Sequence, residues 1–170
     1  PTATTVAAPT TTNYVLTGDD EMTWASCQTS CSSIGRQMAC VQSGQQNEDL
    51  LLVLESNNHG GAWLGYESPA EEDSIDTSNW AWNSGCVSNY TYWNAASPDN
   101  TGATEDYATI LKDLDGQWDD ASAETTSYCY CEAVNFVRFS PGAEYSTCAT
   151  TCEDSGWEMP CIQDFKDNEK

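Results

Sequence analysis

Nine cysteines in a chain of 170 residues constrain the fold more strongly than any other feature of the sequence. This density far exceeds cytosolic usage and is typical of disulfide-bonded domains in an oxidising compartment. Six cysteines lie between residues 13 and 132, an even set that allows fifteen pairings: Cys27, Cys31, Cys40, Cys86, Cys129 and Cys131. The sequence therefore predicts a secreted protein, extracellular or at the cell surface, with a disulfide framework.

Three of these cysteines recur later in the chain at the same spacing. The residues Cys27, Cys31 and Cys40 are matched by Cys148, Cys152 and Cys161. Five neighbours recur in the same register: Gly35, Met38, Gln42, Asn47 and Glu48 as Gly156, Met159, Gln163, Asn168 and Glu169. So many matches in register indicate an internal repeat. The sequence predicts one complete domain and the beginning of a second, in a tandem array.

Composition and the repeat divide the chain into four segments. Residues 1–12 are rich in Thr and Pro, which predicts an extended linker or stalk that O-glycosylation would stiffen. Residues 13–132 form the complete domain, and residues 133–135 form a short linker. Residues 136–170 form the N-terminal part of a second, incomplete domain. Because the linker is so short, we expect adjacent domains to be tightly coupled.

The chain carries 27 acidic residues against five Lys and Arg, a formal net charge of -22. This acidity disfavours nucleic acids, whose binding requires a basic face, and anionic lipid headgroups. No apolar run approaches the roughly 20 residues of a transmembrane helix. Since 39% of the residues are nonetheless hydrophobic, we expect a folded core, no nucleic-acid partner and no membrane insertion.

Apolar spacing predicts two helices, over residues 24–35 and 46–57. Short apolar segments predict strands over residues 62–66, 106–111 and 127–132. Much of the remaining sequence is rich in Asn, Ser and Gly and is typical of loops. These elements predict an α+β domain with a long loop region.

Four short motifs follow one another after Trp93: Ser97-Pro98-Asp99, Glu105-Asp106-Tyr107, Trp118-Asp119-Asp120 and Cys131-Glu132. Their order and spacing resemble the calcium-site half of a C-type lectin domain. Upstream matches extend the resemblance over residues 13–132: Trp24, Ala25, Cys31, Glu48 and Trp63-Leu64-Gly65. The resemblance implies a C-type lectin-like fold, in which two helices flank small antiparallel sheets and disulfides staple the domain.

The resemblance also implies a calcium cofactor. Calcium takes about six to eight oxygen ligands, and converging carboxylates repel one another when no cation lies between them. The implied metal ligands are Asp99, Glu105, Asp119 and Asp120. The implied ligand-binding residues are Ser97, Asp99, Asn100, Glu105 and Asp119. In the resembled family the proline bond of the first motif is typically cis, and the ion coordinates two vicinal sugar hydroxyls.

Three positions depart from the family pattern. Ser97 replaces a Glu or Gln, so a short hydroxyl stands in place of a strong ligand. Asp119 replaces an Asn, which adds charge and removes an amide donor. Tyr107 replaces a cysteine, and no cysteine follows Asp120 at the usual distance. Both members of the family's inner disulfide are therefore missing together.

The disulfide pairing expected from the resemblance has three bridges in the complete domain. Cys31–Cys131 matches the long-range bridge of the family, and Cys86–Cys129 is expected in place of the missing inner bridge. Cys27–Cys40 is the remaining pair, and it is expected to recur as Cys148–Cys161. Bridges that close loops of this length are each worth a few kcal/mol.

Two features leave alternatives open. Five aromatic residues form either a sugar-stacking platform or part of the loop core: Trp80, Trp82, Tyr90, Tyr92 and Trp93. The sequence Asn89-Tyr90-Thr91 is an N-glycosylation sequon. It is either used in a secreted loop or left as an unmodified turn.

Two functions from different classes are consistent with these features. The first is extracellular, calcium-dependent carbohydrate binding by a lectin-like module in a tandem array, with glycans as partners. The alternative is a structural repeat of an extracellular fibre, matrix or surface filament, whose partners are neighbouring copies of the chain and which does not bind sugar. No nucleophile motif or singled-out acid indicates catalysis, so we do not expect an enzyme.

Overall fold

The computed structural model describes residues 14–68, 74–83 and 86–133. The chain divides into two units, Pro1–Asn135 and Phe136–Lys170, and every described residue belongs to the first. The predicted stalk over residues 1–12 and the predicted second copy over residues 136–170 lie outside the described residues. Both stay predictions.

Two α-helices and seven strands are the main elements of the described part of the chain, which also has three 3-10 helices of three residues each. They are β1 (Tyr14–Leu16), α1 (Trp24–Ser33), β2 (Arg36–Met38), α2 (Gly44–Asn57), β3 (Gly61–Glu67), β4 (Ala81–Trp82), β5 (Glu105–Leu111), β6 (Trp118–Ser122) and β7 (Tyr130–Ala133). Both predicted helices and the predicted strands at β3 and β5 are present. The last predicted strand begins at Tyr130 rather than at residue 127, and β1, β2, β4 and β6 were not predicted.

Side-chain caps set the beginnings of the two helices. The Thr23 hydroxyl accepts a 3.4 Å hydrogen bond from the Ser26 backbone N–H at the start of α1. The Ser43 hydroxyl accepts one of 3.3 Å from the Gln46 N–H, so α2 begins two residues earlier than predicted. After α1 the chain turns at Gly35, whose φ of +67° lies in the left-handed region that favours glycine.

The strands form two small antiparallel sheets. One has the order β1-β7-β2, and the other has the order β4-β3-β5-β6. In the first sheet Tyr14 pairs with Glu132, so the two ends of the domain lie side by side. In the second, β5 and β6 carry the acidic motifs as neighbours, with Ala108 opposite Asp120. This architecture confirms the predicted α+β, C-type lectin-like fold.

Aromatic side chains fill much of the core beneath the loops. Trp118 is fully buried and makes edge-to-face contacts with Trp82, Tyr90 and Trp93, with ring centroids 5.8–5.9 Å apart. Trp80 is also buried and packs against Trp93 at 4.7 Å. For Trp80, Tyr90 and Trp93 the loop-core alternative is therefore correct, whereas Trp82 keeps part of its surface open to solvent and Tyr92 is 40% exposed.

Three disulfides join cysteines within the described residues, and one of them was predicted with the correct partners. Cys31–Cys131 is present. The predicted pairs Cys27–Cys40 and Cys86–Cys129 are wrong, because the structure joins Cys27 to Cys129 and Cys40 to Cys86. The Cα–Cα distances of the three bridges are 5.3, 5.4 and 6.2 Å, which lie within the range of native disulfides.

Helix and strand periodicity explains this correction. Residues four apart on α1 share one face, and residues two apart at the beginning of β7 share one side of the chain. Cys27 and Cys31 therefore both meet the segment that contains Cys129 and Cys131. Cys40 lies beyond α1 at the end of β2, where the loop that contains Cys86 reaches it.

Candidate functional site

The acidic motifs meet at the loop that leads from Trp93 into β5. The Ser97–Pro98 peptide bond is cis, as the family resemblance implied, and Pro98 is buried. The backbone then enters the left-handed region at Asn100, with a φ of +49°, and at Gly102, with a φ of +79°. The loop then contacts the first residue of β5, Glu105, and the middle residue of β6, Asp120.

Asp120, on β6, holds this loop in place. Its side chain is 5% exposed, and its carboxylate oxygens each accept a 3.0 Å hydrogen bond from the Asp99 backbone N–H. One of the two oxygens also accepts a 2.7 Å bond from the Asn100 N–H. The Asn100 side-chain oxygen accepts a bond of 3.1 Å from the Glu105 N–H. The loop is thereby tied to both strands, and Asn100 acts as a loop-positioning residue.

Three of the four predicted metal ligands converge. Asp99, Glu105 and Asp120 each place a carboxylate oxygen within 4.8 Å of the others. Asp120 is buried, Glu105 is half-buried and Asp99 is exposed, so the cluster opens to solvent on the Asp99 side. One Asp99 oxygen accepts bonds of 2.9 and 2.6 Å from the Thr101 N–H and hydroxyl, which orients this carboxylate.

The fourth predicted ligand, Asp119, lies outside that group of three. Its carboxylate accepts hydrogen bonds from the Ser97 hydroxyl and from the Asn94 side-chain amide, the latter at 3.1 Å. The Asn94 amide also donates to the Ser97 oxygen at 2.7 Å. Ser97 and Asp119 are therefore satisfied by protein partners, next to the three converging carboxylates.

The electrostatics of the cluster reflect concentrated negative charge. Burial raises the pKa of the Glu105 carboxyl above its ordinary value, and the nearby Asp120 carboxylate raises it further. The carboxylates of Asp99 and Asp119 act in the same direction. A bound cation would relieve this repulsion.

The donor set fits calcium. All three converging groups are carboxylates, the ligand type that this hard cation prefers, and carboxylates can bind it through one or both oxygens. The position of Asp99 at the surface leaves room for water or a ligand hydroxyl to complete the roughly six to eight oxygens that calcium takes. Asp99, Glu105 and Asp120 are the residues that would hold the ion.

Sequence reasoning missed two residues that shape this site, Asn94 and Thr101. Asn94 links the Ser97 and Asp119 side chains, and its side-chain oxygen also accepts a 2.9 Å bond from the Ala96 N–H. Thr101 fixes the Asp99 carboxylate. Their residue types could have indicated these roles, since Asn and Thr side chains in a short polar loop commonly form local hydrogen bonds with the neighbouring backbone.

Four features together define a C-type lectin-like domain: the two helices, the small antiparallel sheets, the acidic loop, and the bridges that join α1 to Cys129 and Cys131. The family model described as Lectin C-type domain matches residues 20–133. The chain belongs to this family. The match ends at residue 133 and gives no support to the predicted second copy.

Similarity to individual proteins is modest. The chain is 25% identical over 124 residues to C-type lectin domain family 4 member M of Hylobates lar, which is 71% of this chain and 28% of that protein. It thus spans little more than a quarter of the length of this relative. It is 24% identical over 116 residues to lectin BRA-3 of Megabalanus rosa, covering 66% of this chain and 65% of that protein.

Solved structures at low identity share the fold. The C-type lectin CEL-I from Cucumaria echinata has a TM-score of 0.58 at 22% identity, over 69% of this chain and 86% of that chain. A calcium-independent type II antifreeze protein has a TM-score of 0.54 at 19% identity, over 65% of this chain and 78% of that chain. The fold is therefore shared by proteins with different functions.

Members of the C-type lectin domain family have several general properties in common. These domains are generally extracellular or at the cell surface, generally bind calcium and are typically non-enzymatic. In the part of this chain that the structure describes, no helix is both long and apolar enough to cross a membrane.

Proposed function

We propose that this chain is an extracellular, calcium-dependent carbohydrate-binding module. The observation that carries this proposal is the convergence of the Asp99, Glu105 and Asp120 carboxylates within 4.8 Å of one another. An arrangement of three like charges, one of them buried, is costly without a cation. Calcium bound there supplies coordination positions for sugar hydroxyls.

The surrounding residues have distinct roles in this proposal. Asp120 holds the loop through its bonds to the Asp99 and Asn100 backbone, so the site is organised before any ligand arrives. Asp119 adds negative charge beside the ion. The side chains of the ligating acids offer hydrogen-bond acceptors to a sugar next to the ion, and the Ser97 oxygen, whose proton is donated to Asp119, can take part only as an acceptor. Two of the similar proteins, BRA-3 and CEL-I, are named as lectins, which supports the assignment.

Calorimetric titration of calcium into the full chain, first stripped with a chelator, tests the metal site. We expect stoichiometric binding with a Kd on the order of 10⁻⁴–10⁻³ M, as in other extracellular calcium modules. Asp99→Asn keeps the oxygen that Thr101 contacts but removes the charge, and it should weaken binding at least tenfold. Asp113→Asn, at an exposed acid outside the cluster, is the matched control and should bind as the unmodified chain does.

A glycan array with and without chelator then tests carbohydrate binding. Signals that disappear with chelator and with Asp99→Asn, but not with Asp113→Asn, are expected. An absence of calcium binding at millimolar concentration would refute this function. Calcium binding without any glycan signal would support the proposed metal site but refute the proposed carbohydrate binding.

A second candidate function is a structural repeat in an extracellular fibre, matrix or filament, without sugar binding. It is favoured by Ser97 and Asp119, which are bonded to each other and to Asn94 rather than left open for a ligand. In this case calcium stiffens the loop or has no role, and neighbouring copies of the chain are the partners. Concentration-dependent assembly, measured by sedimentation velocity, would support it, and a monomer at all concentrations would contradict it.

A further inference from the structure

A cleft of about 560 Å³ lies between β4 and the segment over residues 86–91. Its walls are mainly aromatic and apolar on one side, with Tyr66, Trp80 and Trp82, and include Val87 and Asn89 on the other. Its volume falls within the roughly 300–1,000 Å³ of small-ligand sites. The cleft is separate from the acidic cluster, since the two share no residue.

The segment that carries Asn89 is held firmly while Asn89 itself faces solvent. The Cys40–Cys86 disulfide anchors its beginning. The Ser88 hydroxyl donates a 2.9 Å hydrogen bond to the Val41 carbonyl and accepts one of 3.0 Å from the Tyr90 N–H. Ser88 and Tyr90 are half-buried, whereas Asn89 is exposed. Its position at the cleft is therefore fixed by its neighbours.

Asn89 is also the acceptor of the sequon Asn89-Tyr90-Thr91, the one N-x-S/T sequence in the 170 residues. Asn89 and Thr91 are both exposed, and the chain around them belongs to no helix or strand. These are the conditions under which such a sequence is accessible to modification. A glycan attached at this position would begin at the cleft.

The apolar residues on both sides of the cleft suit the first sugars of such a glycan. Val87 is 84% exposed, and Trp82 is half-buried, with a ring that packs against Tyr66 at 4.6 Å. The C–H face and acetamide methyl of N-acetylglucosamine can cover such aliphatic and indole surface. Because the glycan is covalently tethered, its effective concentration at the cleft is in the millimolar range, so a weak contact is sufficient.

We propose that Asn89 carries an N-linked glycan whose first N-acetylglucosamine residues lie in this cleft and cover Trp82 and Val87. In the attachment step the side-chain nitrogen of Asn89 forms a bond to the anomeric carbon of a lipid-diphosphate-linked oligosaccharide. The anomeric C–O bond breaks, the lipid diphosphate leaves, and the nitrogen loses one proton. The cleft is thus occupied by the chain's own glycan, independently of calcium.

Attachment is tested by secretion of the full chain from a eukaryotic host. The intact mass is measured before and after treatment with peptide:N-glycosidase, and we expect a glycan at Asn89 that is absent from Thr91→Ala. If the mass of the chain is unchanged by the enzyme, the proposal is wrong.

The location of the glycan is tested by a double-mutant cycle. Removal of the glycan with Asn89→Gln should lower the thermal unfolding midpoint by about 2–4 °C, and this loss should shrink in a Val87→Ser background. Val87 is exposed, so that substitution leaves the core intact. The variant Asn89→Gln/Ala123→Asn moves the glycan to the exposed turn before Thr125, away from the cleft, and should not recover the lost stability.

Nuclear Overhauser contacts between labelled N-acetylglucosamine and the Trp82 indole provide the direct readout. Their presence is expected in the glycosylated chain. Three results would each overturn the proposal. The relocated glycan could stabilise the chain equally, or the effects of Asn89→Gln and Val87→Ser could be additive. The third is that the Overhauser contacts appear only when free glycans from another source are added.

Discussion

The carboxylate of Asp120 accepts a 2.7 Å hydrogen bond from the backbone N–H of Asn100, twenty residues earlier in the chain. One buried side chain on β6 thereby sets the shape of the loop that carries the other acidic residues. The loop and the proposed metal site depend on the same group, so a change at Asp120 should affect both stability and calcium binding.

Replacement of Asp120 by Ala should lower the free energy of unfolding by about 2–3 kcal/mol, because the Asp99 and Asn100 backbone amides lose a charged acceptor that is itself buried. Asp120→Asn keeps one acceptor oxygen and should cost about half as much. Urea denaturation measures both, and amide hydrogen exchange at Asp99 and Asn100 should quicken in the Ala variant. Asp113→Ala is the control, with an expected change within about 0.5 kcal/mol. Equal losses in all three variants would contradict the role of Asp120.

The Asn47 side chain joins helix α2 to strand β6 beneath the loops. Its oxygen accepts a 2.8 Å bond from the Trp118 indole N–H, and its amide donates a 2.9 Å bond to the Gly116 carbonyl. Asn47→Leu leaves both buried partners unpaired and should cost about 2–4 kcal/mol. Glu55→Leu, on an exposed face of the same helix, should change stability far less. Chemical denaturation checks both, and comparable losses would be inconsistent with a specific role for Asn47.

The buried carboxyl of Glu132 makes stability depend on pH. Burial raises its pKa to about 7, although a 2.6 Å hydrogen bond from Gln37 partly opposes the shift. In the unfolded chain the pKa of the Glu132 carboxyl is near 4.3. The carboxyl therefore holds its proton more tightly in the folded state. The stability from protonated Glu132 is therefore complete below about pH 4.3 and is lost as the pH rises through about 7.

Glu132→Gln should remove this dependence. The variant should equal the unmodified chain at pH 4 and exceed it by roughly 3 kcal/mol at pH 8. Denaturation curves for both chains across this pH range give the difference in their free energies of unfolding. The contributions of the other acidic residues are the same in both chains and cancel in this difference. A constant difference between the two chains at all pH values would show that the carboxyl does not titrate in this window.

Single replacement of Cys86 by Ser distinguishes the observed disulfide pairing from the one expected from sequence. In the structure Cys86 pairs with Cys40, so the variant should release the Cys40 thiol, which alkylation under denaturing conditions followed by peptide mapping would identify. Labelling of Cys129 would indicate the other pairing. Loss of this bridge, which joins residues 46 positions apart, should lower stability by about 2–4 kcal/mol.

Periodicity and motif order predicted much of the fold. Both helices were predicted because their apolar positions repeat at helical spacing, and the family resemblance placed the acidic loop ahead of β5. The first two residues of α2 were missed because the start of this helix depends on the Ser43 cap. Strands β1 and β2 have three residues each and carry little periodic signal; they exist because β7 pairs with both of them.

The candidate site was predicted in its members but not in their arrangement. Four acids were expected to converge, and the structure brings together Asp99, Glu105 and Asp120 while Asp119 bonds with Ser97 and Asn94. Spacing along a chain cannot determine which carboxylate oxygen accepts a hydrogen bond from a given backbone amide or hydroxyl. That choice depends on how a loop packs against strands that are distant in sequence.

The sequence by itself determined the family, the α+β class, the presence of disulfides and the acidic character of one loop, since these depend on residue types and local spacing. Only the tertiary structure decided which cysteines pair, which carboxylates converge and that Asn89 lies beside an aromatic cleft. Each of these depends on how separate segments of the chain pack together, since it is fixed by the packing of α1 against β7 and of the loops over a shared aromatic core.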